Sequence, residues 1–167
     1  MHSLLQVFIW QKMKIRIIAL GKIKEKFLKD GIDEFLKRLT PYASVEIIEL
    51  NPVEIKDGLI EKALKEESEK ILSHIKQDSY VITLEINGKQ LSSEEFASKI
   101  NDITISGVGD LVFVIGSSCG LAPEVSARSN FKLSFSKMTF LHQFARLILV
   151  EQIYRAFKIL KNETYHK

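Results

Sequence analysis

Two pairs of polar residues stand out on one apolar segment near the end of the chain. His142 and Arg146 are four residues apart, and so are Glu151 and Arg155. On a helix each pair lies one turn apart, and the two pairs fall on different faces. Around them, Phe144, Leu147, Ile148, Val150, Ile153, Tyr154, Phe157 and Leu160 cover most of the circumference. A helix apolar nearly all round is buried on both sides, and a buried charge is either paired or kept for a purpose. Glu151 and Arg155 therefore read as a structural ion pair or as groups held for chemistry. In a domain of this size, the second buried side predicts contact with another copy of the chain, a homodimer.

A second candidate stretch is DLVFVIGSSCGLAP, from Asp110 to Pro123. Leu111 to Ile115 is a continuous apolar run, as expected of a strand buried on both faces of a parallel sheet. Gly116 and Gly120 bracket Ser117, Ser118 and Cys119, and Pro123 suits the first turn of a helix. Ligands of α/β proteins bind at such carboxyl ends of strands, although the same pattern also serves as a plain strand-to-helix turn. The loop lacks the three-glycine dinucleotide spacing, and no Gly-Lys-Ser/Thr follows it. It can offer backbone amides to a neutral ligand such as an adenosine. Cys119 with His142 as base is a nucleophile arrangement for which no third, orienting group is evident. His2, His74, His142 and His166 show no metal-ligand spacing, so no metal is expected. Lys22, Lys24, Lys26 and Lys29 suit either a phosphate-contacting patch or a solvated helix start. Tyr165-His166-Lys167 lies in a tail of the kind that usually frays. A role for it requires that the tail fold back onto a pocket.

The elements that must position these groups alternate. Met13 to Leu20, Val45 to Leu50, Tyr80 to Leu84, Leu111 to Ile115 and Phe131 to Phe135 read as strands. Between them lie four helical patterns: Leu28 to Leu39, a long one capped by Asp57 with Ile60, Leu64, Ile71 and Ile75 as its stripe, one opened by a Ser92/Glu95 capping box, and a short one from Pro123 to about Arg128. Asn87-Gly88-Lys89 reads as a turn ending the third strand. The final helix runs from Gln143 to about Leu160. This order predicts one α/β domain, a mostly parallel sheet with helices on both faces. The 167 residues, 46% hydrophobic and 27% charged, suit a single globular core. The net charge of +3 permits a nucleic-acid partner without demanding one. One cysteine suits a reducing compartment, no apolar run approaches the roughly 18 residues of a membrane span, and a cytoplasmic protein is expected. Residues 1–12, MHSLLQVFIWQK, precede the first clean strand pattern. They read as an appendage without a signal-peptide pattern, outside a domain spanning 13–167.

From Met13 to Lys167 the chain resembles the RlmH family of SPOUT-class methyltransferases. The resemblance is carried by MKIRIIALGKIKEKFLKDGIDEFLKRL, VITLEINGK, FVIGSSCGLAPEV, LSFSKMTFLHQFARLILVEQIYRAFKIL and the terminal YHK. It implies a C-terminal trefoil knot of SPOUT type, a homodimer, S-adenosyl-L-methionine as methyl donor, and N3 of a pseudouridine in 23S ribosomal RNA, on the ribosome, as acceptor. Carried over residue by residue, it implies a donor pocket of Leu84, Gly116, Phe135, Ser136, Lys137, Met138, Thr139 and Phe140. Two positions depart from the family pattern. Ser117 stands where a second glycine is usual, adding a side chain beside the pocket. Leu141 stands where proline is usual, which frees φ and restores an N–H.

Removing the N3 proton of a pseudouridine leaves an anion spread over two carbonyls. On the implied chemistry, Arg155 stabilises that anion, Glu151 orients Arg155, and His166, or Tyr165 beside it, takes the proton or clamps the base. A non-catalytic ribosome-binding factor on the same fold, and a nucleotide enzyme using Cys119, are the competing readings.

Overall fold

The structure, a computed structural model, describes residues 13–167; the expectation for residues 1–12 lies outside the described residues. The elements in order are β1 (Lys14–Leu20), α1 (Lys26–Leu39), β2 (Ser44–Leu50), α2 (Ile60–Ser73), β3 (Tyr80–Gln90), α3 (Ser93–Ile105), β4 (Asp110–Ile115), α4 (Pro123–Arg128), β5 (Phe131–Ser134) and α5 (His142–Leu160). The five strands form one sheet in the order β2-β1-β4-β3-β5, and every pairing is parallel. Parallel neighbours need crossovers, and the crossover helices cover both faces.

Side-chain alternation along the strands feeds two cores. Ile15, Ile17, Phe113 and Ile82 meet the larger one, with Ile32 of α1, Phe96 and Ile100 of α3, and Leu149, Ile153 and Phe157 of α5. Ile18, Leu20, Val81, Val112 and Val114 meet the smaller one, with Ile71 of α2 and Val125 of α4. All six residues of β4 are buried, and its last five, Leu111 to Ile115, read as an unbroken apolar run. At the amino end of the sheet, buried Arg16 donates Nε and Nη2 to the two carboxylate oxygens of Asp110, at 2.8 and 2.7 Å. Ser79 donates its hydroxyl to the same carboxylate.

Two local expectations give way. Asp57 does not cap α2: it takes φ 53° ahead of Gly58 at φ 70°, and the helix starts after Leu59 with no side-chain cap. The buried face of α2 is Ala63, Glu67, Ser68 and Ile71, and Ile60 is 46% exposed. The apolar spacing misplaced this face because Glu67 and Ser68 are buried by hydrogen bonds. The turn expected at Asn87-Gly88-Lys89 is a bulge inside a continuous β3. Leu84 and Lys89 both pair with Leu133, and the intervening residues loop out. A Cβ on Gly88 would lie 2.7 Å from the Lys132 carbonyl carbon and oxygen. Gly88 is therefore required by close approach of two strands rather than by a reversal.

Candidate active site

A cleft of about 780 Å³ opens at the carboxyl ends of the strands. The bulge after Leu84, the Gly116–Gly120 loop after β4 and the segment between β5 and α5 line it. Of the expected pocket residues, Leu84, Gly116, Phe135, Ser136, Met138, Thr139 and Phe140 line the cleft. Lys137 is exposed on the same loop and is not among the lining residues.

Each wall has a local cause. Gly120 takes φ 83°, and Ser117 and Gly120 form an isolated antiparallel bridge that closes the loop. A Cβ at Gly116 would lie 2.5 Å from the Gly120 carbonyl oxygen, so only glycine fits there. The Ser117 hydroxyl donates to Glu67 Oε2 at 3.1 Å and accepts from the Cys119 N–H at 3.4 Å. Glu67, 4% exposed, also accepts from the Val53 N–H. Ser117 thus ties the glycine loop to α2. In the third wall, the Ser136 hydroxyl accepts from the Met138 N–H and the Ser134 hydroxyl donates to the Ser136 carbonyl, both at 3.0 Å. Leu141 sits at φ −56° ahead of α5, close to the value proline would impose.

The first polar pair of α5 does not act together. Arg146, 1% exposed, donates to Glu49 Oε2 at 2.7 Å and to the Gly21 carbonyl at 3.1 Å, clasping the ends of β2 and β1. His142 and Cys119 both line the cleft, yet no hydrogen bond joins them among the described residues. Burial, and then the nearby Arg146 charge, hold His142 below the usual imidazole value. Lys22, Lys24, Lys26 and Lys29 are exposed, with Lys26 paired to Asp30. Among the described residues, no group of three or more His, Cys, Asp or Glu is placed to hold a metal, and no helix is long and apolar enough to cross a membrane.

The second pair does converge with the tail. Glu151 Oε1 accepts from Arg155 Nε at 3.0 Å, from Arg155 Nη2 at 2.5 Å and from the Tyr165 hydroxyl at 3.1 Å. Arg155 Nη1 lies 3.1 Å from His166 Nδ1. The guanidinium stands 4.8 Å from the Tyr165 ring centroid, and that ring meets Tyr154 edge-on at 4.8 Å. Burial, and then the Glu151 charge, push the Tyr165 phenol up, so it stays a donor at neutral pH. The tail folds back because Asn162 turns at φ 53° and Glu163 is held by two donors, Tyr42 and Lys158, each at 2.8 Å. Two neighbours were not foreseen from the chain. Glu94 Oε1 lies 2.7 Å from His166 Nε2. Gln152 accepts from Ser93 at 2.8 Å and donates to Glu151 at 2.9 Å. The Ser92/Glu95 capping box was the one signal available: it marks where α3 begins, and Ser93 and Glu94 fall in its first turn. A hollow of about 230 Å³ shares Leu133, Ser134, Phe135 and Phe140 with the larger cleft and is also lined by Ser93 and Gln152.

The chain is similar to known proteins along nearly its whole described length. The family described as "Predicted SPOUT methyltransferase" matches residues 13–166. The "Ribosomal RNA large subunit methyltransferase H" of Carboxydothermus hydrogenoformans is 52% identical over 159 residues, covering 93% of this chain and all of that protein. The protein of the same name from Clostridium novyi is also 52% identical over 159 residues, with the same coverage. Among solved structures, "a probable methylase family protein from Haemophilus influenzae Rd KW20" superposes with a TM-score of 0.51 at 14% identity, covering 95% of this chain and 71% of that one, a likeness of fold. The family match spans β1 through the tail that carries Tyr165 and His166, and so takes in both the cleft and the polar cluster: this chain belongs to the SPOUT methyltransferase family.

Proposed function

We propose that this chain transfers a methyl group from S-adenosyl-L-methionine to N3 of a pseudouridine in 23S ribosomal RNA. The observation that carries this reading is the convergence of Glu151, Arg155, Tyr165 and His166 in a member of a methyltransferase family. The names of the relatives supply the substrate class.

The cleft suits the donor. Its volume of about 780 Å³ lies within the roughly 300–1,000 Å³ of small-molecule sites. Bare backbone at Gly116, apolar side chains from Leu84, Phe135, Met138 and Phe140, and polar groups of Ser136 and Thr139 offer both stacking and hydrogen bonding, with Lys137 at the loop's outer side. When bound, S-adenosylmethionine supplies an electrophilic methyl group on a cationic sulfur.

Arg155 brings donors and no acceptor, which suits an anion spread over two carbonyls. Glu151 holds two of its nitrogens, and Tyr165 shares that carboxylate. His166 takes the N3 proton. Loss of that proton would leave N3 as the nucleophile for the methyl group the donor would supply, the carbon–sulfur bonding pair staying with the departing sulfur. Holding the partners at attack distance supplies about 7–11 kcal/mol of the barrier.

The reading extends to a cytoplasmic homodimer acting on ribosomal particles, with the chain after β4 threaded as a trefoil knot. Supporting the dimer, Phe27, Met138, Phe140, Leu141 and Phe144 are all more than 40% exposed. The Phe27 and Phe144 rings touch, with centroids 6.0 Å apart.

The test is incubation of the protein with methyl-labelled donor and ribosomal particles lacking the modification. Label is expected at the pseudouridine. Donor binding by calorimetry without any transfer would leave a ribosome-binding factor instead. No donor binding at all would remove the methyltransferase reading.

A further inference from the structure

His166 makes two hydrogen bonds, one from each ring nitrogen, and the chemistry of the partners decides which nitrogen carries the proton. Arg155 Nη1, 3.1 Å from Nδ1, can only donate. Nδ1 must therefore be the bare, accepting nitrogen. Nε2, 2.7 Å from Glu94 Oε1, then carries the hydrogen and donates it to the carboxylate. The ring is a neutral Nε2–H imidazole with a single lone pair, and that lone pair faces the guanidinium proposed to meet the substrate.

Glu94 is set for this work by its element. It occupies the first turn of α3, whose start is fixed by the reciprocal Ser92/Glu95 capping box. Ser93, beside it, bonds Gln152, which in turn bonds Glu151. The beginning of α3 thus braces both the Glu151–Arg155 pair and His166. The charged and titratable groups around the ring are Arg155 and Glu151 from α5, Glu94 from α3, and Tyr165 of the tail.

We infer that Glu94 is a positioning residue for His166: together with Arg155 it holds the Nε2–H tautomer, it turns Nδ1 toward the substrate side, and it steadies the imidazolium formed when Nδ1 takes the N3 proton. This rests on the role proposed for His166. The logic is that of a carboxylate behind a catalytic imidazole, reached here from the opening turn of a separate helix. The proton has one destination. It leaves N3 and bonds to Nδ1 as Arg155 shifts its hydrogen bond onto the pyrimidine anion, while the Nε2–H bond to Glu94 remains.

Three variants and one spectrum test it, on the full chain with ribosomal particles. Glu94→Ala is expected to lower kcat about tenfold or more, less than the roughly 10²–10⁴-fold of losing the base itself, with the KM for the donor unchanged. Glu94→Gln keeps an acceptor but removes the charge that favours the imidazolium. Its acid-side loss of rate is therefore expected at lower pH than in the wild type. Ring nitrogen spectra of His166 are expected to show Nε2–H in the wild type, with the downfield shift of a proton bonded to a carboxylate lost in Glu94→Ala. An Nδ1–H ring in the wild type overturns the proposal. So does Glu94→Ala at wild-type kcat beside an inactive His166→Ala. A fully active His166→Ala would instead remove the base named under the proposed function, and this positioning role with it.

Discussion

Arg155 shares Glu151 with Tyr165, so the three side chains hold one another before any substrate arrives. Arg155→Ala removes the group assigned to the developing anion and is expected to cut kcat about 10²–10³-fold, the range for losing one such stabilising donor. Donor affinity, measured by calorimetry, should stay within twofold. At Leu141 the backbone already sits at φ −56°. Leu141→Pro is therefore expected to raise stability by about 0.4–1 kcal/mol, mainly by restricting the unfolded chain, read as a higher urea midpoint. The identities of the four central residues were legible from α5 spacing and from the family motifs. Glu94 was not, because it joins the cluster only once the tail folds back from Asn162, and Gln152 was not, because its partner Ser93 comes from α3, 59 positions away.

At the scale of elements, the glycine loop and the strand bulge shape the cleft. Gly116→Ala sets a Cβ against the Gly120 carbonyl at 2.5 Å. The loop must open, and donor affinity is expected to fall about tenfold or more by calorimetry, since even a modest loss of some 1.4 kcal/mol is a factor of ten. Strands β1, β2, β4 and β5, the first half of β3 and helices α1, α3, α4 and α5 were readable because apolar periodicity, the Ser92/Glu95 capping box and the Gly and Pro stops agreed. The Asn87-Gly88 signal was read as a reversal because that dipeptide marks any departure from regular backbone. Whether it becomes a turn or a bulge depends on β5 arriving alongside, which no local pattern announces. The buried face of α2 was misplaced for a related reason: Glu67 is interior only because Ser117 and Val53 supply its hydrogen bonds.

For the whole molecule, the sheet's interior charges set an acid limit. Burial pushes the Asp110 carboxyl up, but the hydrogen bonds from Arg16 and Ser79 outweigh it and leave it below the usual carboxylate value. A depressed folded value gives stability that is present above the unfolded value, about 3.9, and is lost as pH falls through the folded one. Urea midpoints are expected to drop across that acid window in the wild type, with a smaller drop in Asp110→Asn. That variant should also cost about 3–5 kcal/mol at neutral pH, because it strands a buried guanidinium. The dimer is tested by sedimentation. Twice the 19.1 kDa chain mass is expected, with Phe144→Glu shifting the population to single chains.

Arg16 and Asp110 are separated by 94 positions. During synthesis at about 5–20 residues per second, the guanidinium emerges roughly 5–20 s before its carboxylate exists. Until then β1 can pair only with β2, and the flank of β1 that will receive the central strand β4 stays unsealed. Nascent chains arrested short of Asp110 should therefore be cut readily by protease, and the released full chain should resist it, so that the centre of this sheet closes late in synthesis.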